Sequence, residues 1–263
     1  MKGYTKTDQH IHQISQILAK LGRSLVPRMD DDSHTNLYWE PFKKRILGRW
    51  IKTPRGLLLP ALNLEHTKFE WLDKQMEVIT EVSLLHRNYF EAESLVEELS
   101  SDVGIEKKDL MAPLHFEIPD YSFKNIPIIE VEQQELSEWS YYRSLANHVL
   151  KDVGEHVQRD VEVRIWPHQF DTGIYYQWNN ILGIGSGLAM EDDSAGAPYF
   201  YISAYPGHDQ IDYTKASTLS NGKWIKEGSW KGGILPINEL IPESAMQTLE
   251  VFYRQALTFL LNQ

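Results

Sequence analysis

The chain has 263 residues, of which 42% are hydrophobic and 24% charged, a balance that excludes a disordered or fibrous polymer and fits one large domain or two small ones. Its 26 Lys and Arg stand against 37 Asp and Glu, a formal charge of -11 that repels phosphate backbones and anionic membrane faces and so argues against nucleic acid and membrane partners. There is no cysteine, which removes disulfides, thiolate zinc sites and thiol nucleophiles and, with no apolar leader within Met1 to His12, makes a soluble, cytoplasmic protein the expectation.

In chain order, Ile11, Ile14, Leu18, Leu21 and Leu25 recur at the spacing of one buried helix face, so a helix is predicted over residues 8–25, ended by Pro27. Asp30, Asp31, Asp32, Ser33 and His34 read as a solvated turn. Residues 45–59, 62–71 and 77–85 are aromatic and β-branched, interrupted at Pro54, Gly56 and Pro60, and read as strands of an antiparallel sheet. Asn88 with Glu91 three positions on is a capping box opening a helix over 89–102, and Gly104 stops it. Pro113, Pro119 and Pro127 make 111–129 a connector or an edge.

A helix over 136–153 is predicted from Trp139, Tyr142, Ala146, Val149 and Val153, with Gly154 as its stop. A second β region follows in Val161 to Ile165, Phe170 to Trp178, Tyr199 to Tyr205, Trp224, and Gly232 to Leu235. Ser244 and Gln247 stand in capping-box spacing before a final helix over 244–261 that buries Leu249, Tyr253, Leu257 and Leu260. The fold class is therefore α+β, with antiparallel sheets covered by helices. It reads as two similar helix-strands-helix halves, 1–125 and 126–263, with prolines and acidic residues between them.

The densest polar segment is Trp166-Pro167-His168-Gln169-Phe170-Asp171, where a proline interrupts a strand and an imidazole and a carboxylate follow at once. A second segment, Tyr205-Pro206-Gly207-His208-Asp209, leaves the end of the Tyr199 strand. If the two meet, Trp166, His168, Asp171, Tyr205 and His208 line a ligand-binding pocket in the C-terminal β region. The competing reading makes Trp166 and Phe170 core residues, with His168 and Asp171 bonding their own turn.

A metal-dependent hydrolase using His168 and Asp171 is the alternative function, but no metal-ligand spacing signature accompanies them. Gly183-Ile184-Gly185-Ser186-Gly187 lacks the Lys of a phosphate loop and reads as a hairpin turn. Trp166, Tyr175, Tyr176, Trp178, Tyr199, Tyr201 and Tyr205 gather on two strands read as neighbours, a patch suited either to stacking a flat or sugar-like ligand or to packing on helices.

Leu21-Gly22-Arg23, Arg55-Gly56-Leu57, Tyr89-Phe90, Trp166 to Asp171, Tyr199 to Pro206 and Ile234-Leu235-Pro236 follow one another as in an uncharacterised bacterial family with a Phe-Trp-Gly-Ser-Phe-Asp core, which the chain resembles over most of its length. Phe170-Asp171 keeps that core, while Pro167, His168 and Gln169 replace its Trp-Gly-Ser positions. The resemblance implies a fold and no chemistry. The functional expectation is a small polar or aromatic ligand bound by the C-terminal β region.

Overall fold

The computed structural model describes residues 2–106, 108–121, 123–206 and 211–262. Its elements are α1 (Lys2–Leu25), β1 (Tyr38–Glu40), β2 (Arg45–Leu47), β3 (Ile51–Thr53), β4 (Gly56–Asn63), β5 (Lys68–Leu72), β6 (Val78–Ser83), α2 (Tyr89–Asp102) and α3 (Gln133–His156). They continue with β7 (Arg164–Ile165), β8 (Thr172–Gln177), β9 (Leu182–Ala189), β10 (Tyr199–Pro206), β11 (Lys223–Ile225), β12 (Gly232–Pro236) and α4 (Ala245–Leu260). The protein is α+β with two antiparallel sheets. It forms two compact units, one of residues 2–141 with 165–170 and one of residues 142–164 with 171 onward, so the division falls inside α3.

In the first unit, β1-β2-β4-β5-β6 form the sheet and β3 pairs with the start of β4. Pro60 lies inside β4, a position a proline rarely tolerates because it lacks a ladder donor. It is accommodated where the partner along one edge of β4 changes from β3, at Leu58, to β2, at Ala61, and its carbonyl accepts from the Gly48 N–H at 2.8 Å. α1 begins earlier than its pattern suggests, and every residue from Ile11 to Ala19 is buried, so it is a central helix rather than one with a single covered face. The acidic turn is only partly solvated, since Ser33 to Asn36 are buried. Gly22 lets that segment approach, for a Cβ there would stand 2.4 Å from the His34 carbonyl oxygen.

In the second unit the strand order is β11-β12-β10-β9-β8. One sheet face carries Thr172, Ile174, Ile184, Leu188, Phe200 and Ile202, all buried, and α4 packs on β10 with Phe252, Tyr253, Leu257 and Leu260 buried in turn. Gly154 does not stop α3. It lies within the helix, where a Cβ would meet Val161 Cγ2 at 2.4 Å, so the glycine admits the returning chain. Nor is Gly183 to Gly187 a hairpin turn: it is the middle of β9, paired on both edges. The intervening Ile184, Ser186 and Leu188 fill the helix-side face, and the glycines occupy the other.

Candidate functional site

The far face of the second sheet is built by period-two alternation. Tyr199, Tyr201 and Tyr205 of β10, and Tyr175 of β8, point to the same side as Gly183, Gly185 and Gly187 of the strand between them. A Cβ on Gly183 would lie 2.1 Å from the Tyr175 hydroxyl, one on Gly185 would lie 2.9 Å from Tyr205 Cε2, and one on Gly187 would lie 2.8 Å from Tyr201 Cε1. Each ring therefore crosses over a glycine of β9, a place no side chain can share. Trp230 does the same at Gly232, where its Cη2 would meet a Cβ at 2.7 Å.

These rings are steeply inclined to one another. Tyr175 and Tyr205 have centroids 6.0 Å apart at 61°, and Tyr201 and Trp230 are 6.3 Å apart at 81°. Tyr175 and Tyr205 remain 45% and 47% exposed, which leaves ring surface open to a ligand. Asp171, just before β8, accepts a 2.5 Å hydrogen bond from the Tyr201 hydroxyl, and Asp192 accepts one at 2.8 Å from Tyr199.

Burial first, then the Asp171 charge, holds the Tyr201 phenol well above the usual tyrosine range. Burial likewise raises Tyr199, reinforced by its hydrogen bond to Asp192, and Tyr205, where a hydrogen bond from Trp230 acts the other way and the Asp171 charge adds to the rise. These phenols are neutral at neutral pH and do not act as bases. A phenol whose pKa is higher folded than unfolded contributes stability that is complete below about pH 10, the unfolded tyrosine value, and lost as pH rises through the folded values. Ultraviolet titration should accordingly show these tyrosines ionising together with alkaline unfolding. Ionisation of all thirteen tyrosines at the free value in a still-folded chain would contradict this environment.

Of the residues singled out from sequence, Asp171 and Tyr205 both belong to this face, and Tyr205 feels the Asp171 charge. Trp166 and His168 belong to the other compact unit, on the turn Pro167–Gln169. His168 is exposed, edge-on to Phe116 at 5.7 Å, and Trp166 is half-buried. His208 lies outside the described residues.

The turn itself is held from α1. The Pro167 carbonyl accepts from Gln16 Nε2 at 2.8 Å and from His12 Nε2 at 2.8 Å; because a carbonyl only accepts, Nε2 must carry the proton. His12 Nδ1 then meets the Tyr121 hydroxyl at 2.8 Å, and the imidazole stacks on Phe170 at 4.8 Å. Phe170 closes the turn through its N–H to the Trp166 carbonyl, in a left-handed conformation (φ 59°) unusual for a bulky residue.

A separate groove of about 270 Å³ lies between α3 and α4, with Val149, Val153, Tyr253 and Leu257 below and Asp152, Glu155, His156, Glu250 and Arg254 around it. Among the described residues no three His, Asp or Glu side chains are placed to hold a metal ion, and no helix is long and apolar enough to cross a membrane. The site thus defines an α+β protein with an aromatic, carboxylate-bearing sheet face. No family model matches the chain, and no curated protein or solved structure gives a significant match.

Proposed function

We propose that the chain binds a small polar or aromatic ligand on the outer face of the second sheet, with Tyr175, Tyr205 and Asp171 as contact residues. The observation carrying this reading is the pair of half-exposed rings, Tyr175 and Tyr205, seated over a glycine strand. Aromatic rings exposed as a group offer contact area at little cost in conformational freedom, because a tyrosine side chain has few rotatable bonds to fix. The hydroxyls and the nearby carboxylate supply the few directional polar groups that orient a small ligand.

Thermal-shift screening of flat heterocycles, sugars and amines tests the proposal. A ligand at about 100 times its dissociation constant stabilises by about 2.7 kcal/mol, an easily read shift. The expected result is a shift that Tyr205→Ala or Tyr175→Ala abolishes, while Phe42→Ala, a change at the 93% exposed Phe42, preserves it. Shifts indifferent to both tyrosines would place binding elsewhere and overturn the reading.

A further inference from the structure

We infer that the ligand recognised by this aromatic face carries a compact organic cation, a quaternary or protonated amine, and is not a neutral flat ring. The inference rests on the ligand-binding reading above and narrows it.

Three features of the face separate the two ligand classes. The first is geometry. A flat neutral ligand gains most by stacking parallel to one ring, or between two parallel rings, whereas these rings stand at 61° and 81° to their neighbours. Inclined rings surround a rounded group better than they clasp a planar one, and a compact cation is attracted to any ring face it meets within about 6 Å of the centroid. The second is the state of the phenols. Tyr201 donates toward Asp171 and Tyr199 toward Asp192, and a phenol that donates to a carboxylate shifts electron density into its own ring, deepening the negative potential over those two rings. The third is charge. The carboxylates of Asp171 and Asp192 both stand at the edge of this tyrosine layer, so a cation on the face has a charge interaction with them that a neutral ring lacks.

The glycine stripe gives these features a common cause. With side chains at 183, 185 and 187 the tyrosines would be displaced from over β9, since the nearest tyrosine side-chain atoms already stand 2.1 to 2.9 Å from where a Cβ would be. Glycine at alternate positions is therefore what allows rings from β8 and β10 to converge.

The test compares choline with 3,3-dimethylbutan-1-ol, which replaces the ammonium nitrogen by carbon at nearly constant shape, in calorimetric titrations of the full chain; indole serves as the flat neutral probe. Choline is expected to bind roughly tenfold or more tightly than its carbon analogue, the range a desolvated cation–ring contact supplies. Tyr205→Ala should lose that binding, Tyr205→Phe should retain most of it, and Asp171→Asn should weaken choline while leaving indole unchanged. Circular dichroism confirms that each variant folds, and Tyr175→Ala replaces Tyr205→Ala if the latter does not. Equal binding of choline and its carbon analogue overturns the cation inference; if indole binding then depends on Tyr205, the broader ligand reading survives alone. Choline binding that ignores Tyr205→Ala and falls with Glu250→Gln assigns the cation to the groove between α3 and α4 and also overturns the inference. Loss of Tyr205 dependence for every probe overturns both.

Discussion

Glu70→Ala should destabilise the protein by about 3–5 kcal/mol, the cost of leaving a buried charge without its counter-ion. Glu70 Oε2 accepts from Arg45 Nε at 2.7 Å, and the two side chains are only 3% and 8% exposed. Its other oxygen accepts from Asn63 Nδ2 at 2.9 Å, so the carboxylate satisfies two buried donors at once. Its removal strands a guanidinium whose remaining bond, to the Met76 carbonyl, is long at 3.5 Å. The neighbouring cluster of Leu59, Ala61 and Leu72, with Leu47 and Met76 against it, offers an apolar alternative to the ion pair. The double change Arg45→Met with Glu70→Leu should therefore recover most of the loss, because a well-packed apolar substitute for a buried ion pair is often neutral or better. Urea denaturation of the two variants beside the unaltered protein measures this directly. A double variant as unstable as Glu70→Ala would mean that packing, and not the orphaned charge, sets the cost.

Local patterns were legible where the interaction is itself local. The Asn88–Glu91 box forms as read, with Glu91 N–H donating to Asn88 Oδ1 at 3.0 Å and Asn88 N–H to Glu91 Oε2 at 2.8 Å. Ser244 and Gln247 share the spacing and form no such box, because Pro242 to Ser244 first make a turn of 3-10 helix and the Ser244 hydroxyl points back to the Ile241 carbonyl. The apolar spacing of α4 likewise located its buried face, while the period of α1 did not disclose that His12, Gln13, Ser15 and Gln16 are buried as well. A helix enclosed on every side must satisfy its polar groups through partners far along the chain, and those partners leave no mark within the helix.

The same distinction runs through the candidate site. Alternating tyrosines made β10 visible as a strand, and Asp171 and Tyr205 stood out beside their turns. The glycines of β9 gave no apolar signal on the face they line, since the cover over them comes from Tyr175, Tyr201 and Tyr205 on the strands to either side. Alternate glycine beside alternate tyrosine was the available cue, and it becomes readable only when the strands are placed side by side. Trp230 was missed because nothing local ties it to a neighbouring tyrosine. His168 stood out by composition, yet its exposure follows from how the Pro167 carbonyl is held by His12 and Gln16, residues 155 and 151 positions away.

Trp139→Ala should cost about 3–5 kcal/mol, as expected for truncating a fully buried tryptophan. The indole has no exposed surface, and its Nε1 donates to Asp8 Oδ1 at 2.7 Å. It meets Trp39 edge to face at 5.0 Å and stacks over Phe170 at 6.4 Å, while the same phenylalanine ring packs on His12. Truncation therefore opens a cavity beside the residue that closes the Trp166–Phe170 turn, and the Phe170 amide, bonded at 2.7 Å to the Trp166 carbonyl, should exchange its hydrogen faster. Trp139→Phe keeps much of the ring contact and loses the bond to Asp8, so it should cost less, about 1–3 kcal/mol. Equal losses in the two variants would show that the buried hydrogen bond to Asp8 dominates and the ring stack contributes little. A loss under ~1 kcal/mol for Trp139→Ala, with Phe170 exchange unchanged, would mean that the turn is ordered by His12 and Gln16 alone.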